Sequence, residues 1–320
     1  MSARAWALFA AVSTVWGIPY LFIKIAVDGG MPPVVLAWGR IVLGAAVLLV
    51  LAHSANVIGQ MRGHLKALLA YAVFEVCIPF PLIAAGEQHV SSSLAAIIIS
   101  SVPLNVALLA MRFDAEERTT GVRLIGLVVG LVGVALLVGL NAAGTGSELL
   151  AAAGILVAAF GYAAGPMILK RGLPDLDPRI AMGGSLSMAA VVLTPLAIID
   201  WPSRTPSGGA FASLIVLGLI CTALAFVLMT LLIREIGPAR SVVITYVNPL
   251  VAVLLGVLLL GEHPGATAIG GLVLILAGSW LATRPGRRSA ARGEAVVRTD
   301  DGDAGAVPAG RTPAEEPASR

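Results

Sequence analysis

The sequence predicts an all-α integral membrane protein, with ten transmembrane helices arranged as two inverted-topology five-helix repeats. Three observations lead there: an apolar composition, ten apolar stretches of spanning length, and a spaced residue pattern that occurs twice, about 145 residues apart. Hydrophobic residues make up 58% of the chain and charged residues 12%, against roughly a quarter charged in soluble domains. A soluble fold of 320 residues could not keep so much apolar surface from water. The net charge of +3 is small and points to no nucleic-acid partner. Cys77 and Cys221 both fall inside apolar runs, where they read as small hydrophobes rather than as a disulfide.

A spanning helix needs about 20 apolar residues. The stretches that qualify are Ala5–Ile25, Val34–Ala52, Ala67–Ala85, Ser93–Met111, Val122–Leu140, Leu149–Leu169, Ile180–Ile199, Ala210–Ile233, Ser241–Leu260 and Ala266–Ala282. Turn residues separate them, as in Asp28-Gly-Gly, Gly144-Thr-Gly, Pro174-Asp, Gly237-Pro238 and Gly261-Glu-His-Pro264. None alternates with the period a membrane barrel requires, so the spans are helices. Met1-Ser-Ala-Arg4 ahead of the first run resembles a signal peptide. No small-residue cleavage pattern follows, and the repeat needs that run as a span.

The repeat is visible in spacing. Pro103, Glu117, Gly126 and Gly133 recur as Pro249, Glu262, Gly271 and Gly278. Upstream, Trp16 to Lys24 matches Tyr162 to Lys170, each followed by a proline turn at Pro33 or Pro178. Five spans per copy is an odd number, so the copies cross the bilayer in opposite directions, the architecture of many secondary transporters. The expected units are residues 1–140 and 141–283. Charge placement agrees, because positive residues gather in cytoplasmic loops. With the N-terminus inside, those loops hold Arg62, Lys66, Arg112, Arg118, Arg123, Lys170, Arg171, Arg179, Arg234 and Arg240. The outer loops hold Arg204, with Lys24 at a helix end. The turn after Pro103 has three arginines and its counterpart after Pro249 has none, as opposite insertion requires. Both termini are therefore expected in the cytoplasm. Residues 284–320 lack large apolar side chains and read as a disordered cytoplasmic tail. Arg284, Arg287, Arg288 and Arg292 at its start read as a positive-inside anchor to the membrane face, with specific recognition of anionic lipids as the alternative.

Ionisable side chains within hydrocarbon are costly and default to a functional role. Glu75 stands midway along the third span. Pro79, four residues on, lacks the amide that would bond the Glu75 carbonyl. This makes Glu75 the candidate substrate or proton-coupling acid, or else a fixed partner of Arg40. Arg40 lies too deep in the second span for a loop residue and suits an anionic substrate group. Lys24 reads as an interfacial anchor. Pro103 and Pro249 fall at equivalent places in spans four and nine, where broken helices expose backbone to a central cavity. Asn105 and Asn248 lie beside them, as cavity residues or as helix–helix hydrogen bonders. Trp16, Tyr20, Tyr71, Tyr162 and Tyr246 are the aromatic candidates for cavity walls, with packing as the alternative. The paired glycines, with Gly161-x-x-x-Gly165, read as close helix packing. His53, His64, His89 and His263 show no metal-ligand spacing, and no nucleotide-binding or hydrolase motif is present, so no metal, cofactor or catalytic residue is expected.

Over about residues 5–283 the chain resembles the EamA-type branch of the drug/metabolite transporter superfamily. The resemblance is carried by Trp16-Gly-Ile-Pro-Tyr-Leu-Phe-Ile-Lys24, Pro32-Pro33, Arg40, Ser91-Ser-Ser-Leu94 leading to Pro103, and the closing Asn248-Pro249, Gly261-Glu262 and Gly271. The first copy departs from the pattern at Arg112-Phe-Asp-Ala-Glu-Glu-Arg-Thr-Thr, where a Gly-Glu pair is expected. The second has Tyr162-Ala in place of Trp16-Gly. The resemblance implies ten helices, a cavity between the halves, alternating access, and export of amino acids or similar metabolites, often against protons. The expectation is therefore a secondary transporter of the plasma (inner) membrane, not an enzyme. Its partners would be a small metabolite, protons as coupling ion and the lipid bilayer, and the protein would be a monomer or homodimer. An importer or uniporter of the same fold is the alternative, then a lipid-handling protein or channel.

Overall fold

The computed structural model describes residues 1–113, 121–141, 146–241 and 243–283. Glu117, Arg118, Gly144 and the tail with its arginine cluster lie outside the described residues. The described chain is helical throughout, without strands. Eight helices are long and apolar enough to cross a membrane: α1 (Ala3–Asp28), α2 (Pro33–Ser54), α3 (Ile58–Gly86), α4 (Ser92–Phe113), α5 (Val122–Asn141), α6 (Gly146–Gly172), α7 (Pro178–Ile199) and α8 (Gly208–Ile236). Two shorter apolar helices follow, α9 (Ile244–Leu260) and α10 (Ala266–Ala282). Each of these has 17 residues, which at about 1.5 Å per residue gives roughly 26 Å, slightly less than the hydrocarbon core.

The helix ends follow local chemistry. Hydroxyls of Ser2, Ser91 and Ser207 accept from Ala5, Leu94 and Ala210 amides, satisfying orphan donors of the first turn. Pro33 and Pro178 start helices where a missing N–H costs nothing. Gly261, at φ 65°, closes α9 in the left-handed conformation that a side chain would resist.

Four helices are interrupted. In α1, the stretch ends at Gly17 and restarts at Pro19. In α4, it ends at Ile99 and restarts at Val102, so the break expected at Pro103 is present, at Ser100–Ser101 just before it. In α3, the π-helical turn Val73–Cys77 precedes Pro79, with the Ile78 amide bonded to the Val73 carbonyl at 3.0 Å. In α8, the wide turn Val216–Leu224 occupies the corresponding stretch of the second copy, though without a proline. The break expected at Pro249 is absent, because α9 runs through it unbroken. Pro249 sits in the second turn of that helix and removes one hydrogen bond without interrupting the helical stretch. Pro166 and Pro195 also lie inside unbroken helices, in the later turns of α6 and α7.

The helices pack pairwise. α2 lies on α7, α5 on α10, and α4 on α9; α1 packs on α8 and α9, α6 on α3 and α4, α2 on α8, and α7 on α3. The α5–α10 seam is close. A methyl group at Gly126 would stand 2.8 Å from the Gly278 carbonyl, and one at Gly133 would stand 3.2 Å from the Gly271 carbonyl. The reciprocal relations hold, with Gly278 against Gly126 at 2.6 Å and Gly271 against Gly133 at 3.4 Å. Pairing 126 with 278 and 133 with 271 makes the two helices antiparallel. Small residues here let backbones meet where bilayer lipid supplies no hydrophobic drive to bring helices together. The opposite faces carry exposed Leu124, Ile125, Val128, Val273 and Trp280, suited to lipid.

Candidate functional site

Three apolar clusters meet at the centre of the bundle. Tyr20 and Ile99 belong to two of them, and Trp38 and Tyr162 join the second to the third. The polar residues of interest border this meeting place. Arg40 is 7% exposed, and its guanidinium stacks 4.0 Å over the Phe80 ring. Its Nη2 donates to Thr222 Oγ1 at 3.2 Å, while Nε is buried without a partner among the described residues. The wide turn of α8 positions Thr222, whose hydroxyl also donates to the Leu217 carbonyl at 2.8 Å. Gly44 and Gly218 allow α2 and α8 to approach at this point. Stacking on an aromatic face stabilises a desolvated cation by about 2 kcal/mol, yet no ion pair reaches Arg40 among the described residues.

Glu75 is held in the π-helical turn of α3. Its Oε2 is buried and unpartnered. The carboxyl fills the space beside Gly165, and the Phe74 carbonyl fills that beside Gly161. The Gly161-x-x-x-Gly165 pair is thus helix packing of a particular kind, in which α6 makes room for the wide turn and its acid. This turn directs Glu75 toward α6 rather than α2. The alternative of a fixed Glu75–Arg40 ion pair is therefore not realised. The acid within electrostatic range of Arg40 is Glu87, and Tyr162 is within range of both Arg40 and Glu75.

Other sequence candidates divide. Trp16 packs edge-on against Phe226, ring centroids 6.0 Å apart, in a small cluster with Val12, Leu232 and Ile244. Tyr71 is buried with Leu68 and Ile180, its hydroxyl 3.7 Å from the Met182 sulfur. Asn105 is buried with its amide nitrogen unpartnered, as is the hydroxyl of Ser101 in the adjacent break. Asn248 joins helices: with its amide nitrogen turned toward them, it donates to the Ile244 and Ser13 carbonyls at 2.9 and 3.1 Å. Tyr246 is not brought to the centre. Its hydroxyl hydrogen-bonds Thr283 at 2.9 Å, at the end of α10, because α9 begins only two residues before it. Lys24 donates to Asp28 and to the Glu87 carbonyl, both at 2.9 Å.

Sequence reasoning missed Thr222, Phe80 and Glu87. Glu87 follows the third apolar run beside Gln88 and His89 and reads as a loop residue, but the fold buries it completely. Glu262, read from the sequence as a repeat marker and turn residue, accepts from the Ser92 and Ser93 amides at 2.7 and 3.0 Å and from the Ser93 hydroxyl at 2.5 Å. It caps the first helical stretch of α4 from the far end of the sequence. Among the described residues, no three His, Cys, Asp or Glu side chains cluster to hold a metal.

The model of the EamA-like transporter family matches residues 3–139 and again 149–284. The chain belongs to the EamA-like transporter family. It is 32% identical over 273 residues to the inner membrane transporter YedA of Escherichia coli (strain K12), covering 80% of this chain and 82% of YedA. It is 24% identical to the transporter YoaV of Bacillus subtilis (strain 168), with coverage of 85% and 94%. It is 26% identical to a probable terminal-alkyne amino-acid exporter of Streptantibioticus cattleyicolor, with coverage of 89% and 94%. A solved crystal structure of 18% identity superposes with a TM-score of 0.61 over 88% of this chain and 98% of its own, which speaks for the fold. Family and helices together make this a multi-pass membrane transporter.

Proposed function

We propose that the protein is a secondary transporter that exports a small metabolite, such as an amino acid, by alternating access with proton coupling. The observation that carries the reading is the unneutralised polar pair in the bundle: a buried Arg40 with no ion-pair partner among the described residues, and a Glu75 whose Oε2 is buried and unpartnered there. A buried cation without a counter-ion is expensive unless a ligand supplies one. Arg40 then receives an anionic group of the substrate, Phe80, Tyr20 and Tyr162 border its apolar part, and Glu75 exchanges the coupling proton. The backbone breaks at Ser100–Ser101 and Ile18, with Asn105, supply further polar contacts. The relative named as a probable amino-acid exporter supports an amino-acid-like cargo.

Ten spans in two inverted five-helix halves, 1–140 and 141–283, suit this mechanism. In support, the helix pairings exchange under a shift of five helices: α1 with α9 matches α6 with α4, and α2 with α8 matches α7 with α3. The antiparallel α5–α10 seam has the same exchange symmetry. In this reading both termini face the cytoplasm, where most loop arginines and lysines then lie, and residues 284–320 form the tail.

The test is flux in proteoliposomes containing wild type or Glu75→Gln, offered a pool of amino acids and small metabolites with and without an imposed pH gradient. The expected result is saturable, gradient-driven flux that the substitution abolishes. Flux indifferent to both the gradient and Glu75 would remove proton coupling from the proposal.

A further inference from the structure

Glu87 lies immediately beyond Gly86, the last residue of α3, and is 0% exposed. Both carboxyl oxygens are buried and neither has a hydrogen-bond partner among the described residues. An ionised carboxylate cannot be kept in that condition without a cost of many kcal/mol. In this arrangement the side chain is therefore the neutral acid. A cation is bound to the same residue's backbone. The Lys24 ammonium donates to the main-chain carbonyl of Glu87 itself and to Asp28 Oδ1, each at 2.9 Å. An ammonium has three donors, so one remains beside these two. The Asp28 side chain is 57% exposed and that of Lys24 22%, and an exposed pair of this kind holds weakly. Lys24 is thus tethered by Glu87's backbone, loosely held by a surface acid, and a side-chain rotation from a buried one.

We propose that Glu87 is a proton-binding site whose deprotonation draws the Lys24 ammonium inward from Asp28 to the Glu87 carboxylate. The step balances: the Glu87 carboxyl becomes a carboxylate, its proton leaves to water at the Asp28 end, and Lys24 remains an ammonium throughout. The charged and titratable groups facing the acid are Lys24, Asp28 and Tyr20 on α1, Arg40 on α2, and Glu262 from the α9–α10 connection. Lys24 and Arg40 favour the carboxylate, while Asp28 and Glu262 oppose it. The two states differ in where one ammonium sits, on the surface or between α1 and α3. Protonation at this site consequently biases how α1 and α3 meet at that end of the bundle. The assignment goes beyond the transport reading, does not use Glu75 and needs no knowledge of the substrate.

The test is an infrared pH titration of the purified full-length chain in lipid nanodiscs, following the carbonyl stretch of protonated carboxylic acids. Glu87→Gln has the shape of the protonated acid, and Lys24→Met reads the same band in a chain that retains Glu87. The expected result is a component absent from Glu87→Gln, present in Glu75→Gln, and titrating about 1 pH unit or more higher in Lys24→Met, the size of shift a nearby opposite charge produces. A spectrum unchanged in Glu87→Gln overturns the proton site. A component lost in Glu87→Gln but unmoved by Lys24→Met overturns the exchange with Lys24. Either failure leaves the flux experiment standing, and a failure of flux leaves this one readable.

Discussion

Replacing Glu262 by alanine removes an acceptor from three donors at once: the Ser92 amide, the Ser93 amide and the Ser93 hydroxyl. Hydrogen bonds to a charged group contribute about 1.5–3 kcal/mol each. Glu262 is only partly buried, so water replaces some of what is lost, and the Ser91 hydroxyl still caps the Leu94 amide. Discounting by about half for that solvation gives a loss of about 3 kcal/mol. At roughly 2 °C per kcal/mol for a folded unit of this size, the melting temperature should fall by about 6 °C. Cys221 is buried, so a thiol-reactive dye reports unfolding directly in detergent. Glu262→Gln keeps one carbonyl oxygen and should lose about half as much, since an N-terminal helix cap loses its charge but not all of its acceptors. Alanine and glutamine variants that both melt with wild type would refute the idea that this carboxylate ties the C-terminal half to α4.

Two further substitutions follow from the packing. Leucine at Gly278 would place its Cβ on the backbone of Gly130, which has no side chain to yield. Overpacking ordinarily costs about 1–3 kcal/mol; against backbone the expected result is no monodisperse protein on size exclusion, whereas Gly270→Leu, with open space around it, should purify normally. Thr222→Val removes the hydroxyl that accepts from Arg40 and leaves a buried guanidinium with one partner fewer, a loss of about 1–3 kcal/mol. Thr222→Ser should restore it; equal melting of the valine and serine variants would mean that this contact carries nothing.

Apolar runs and turn residues were enough to foresee the helices, because hydrocarbon permits little else of that length and composition. The Pro103 break and the proximity of Pro79 to Glu75 were legible for the same reason, since proline acts on its own turn. Pro249 shows the limit: whether a helix kinks depends also on how near its start the proline falls and what packs against it. The contacts that build the site escaped because they are remote in sequence. Glu87 becomes buried only when helices remote in sequence, α1 among them, pack around the end of α3, and Thr222 meets Arg40 only because the wide turn in α8 places it there. No local pattern around either residue encodes that encounter. The two-fold repetition was visible in glycine spacing, but the face on which those glycines meet was not.

The α5–α10 seam also bears on ancestry. Gly126 facing Gly278 and Gly133 facing Gly271 is the arrangement that two identical chains, inserted head to tail, would make across a shared axis. Side chains elsewhere in the two copies have drifted freely, Trp16 against Tyr162 among them, because each answers to different neighbours. At the Gly126–Gly278 pair each glycine is boxed in by backbone of the facing helix, so a side chain added in one copy cannot be absorbed by the other. A seam of touching backbones is consequently where the record of duplication is hard to erase.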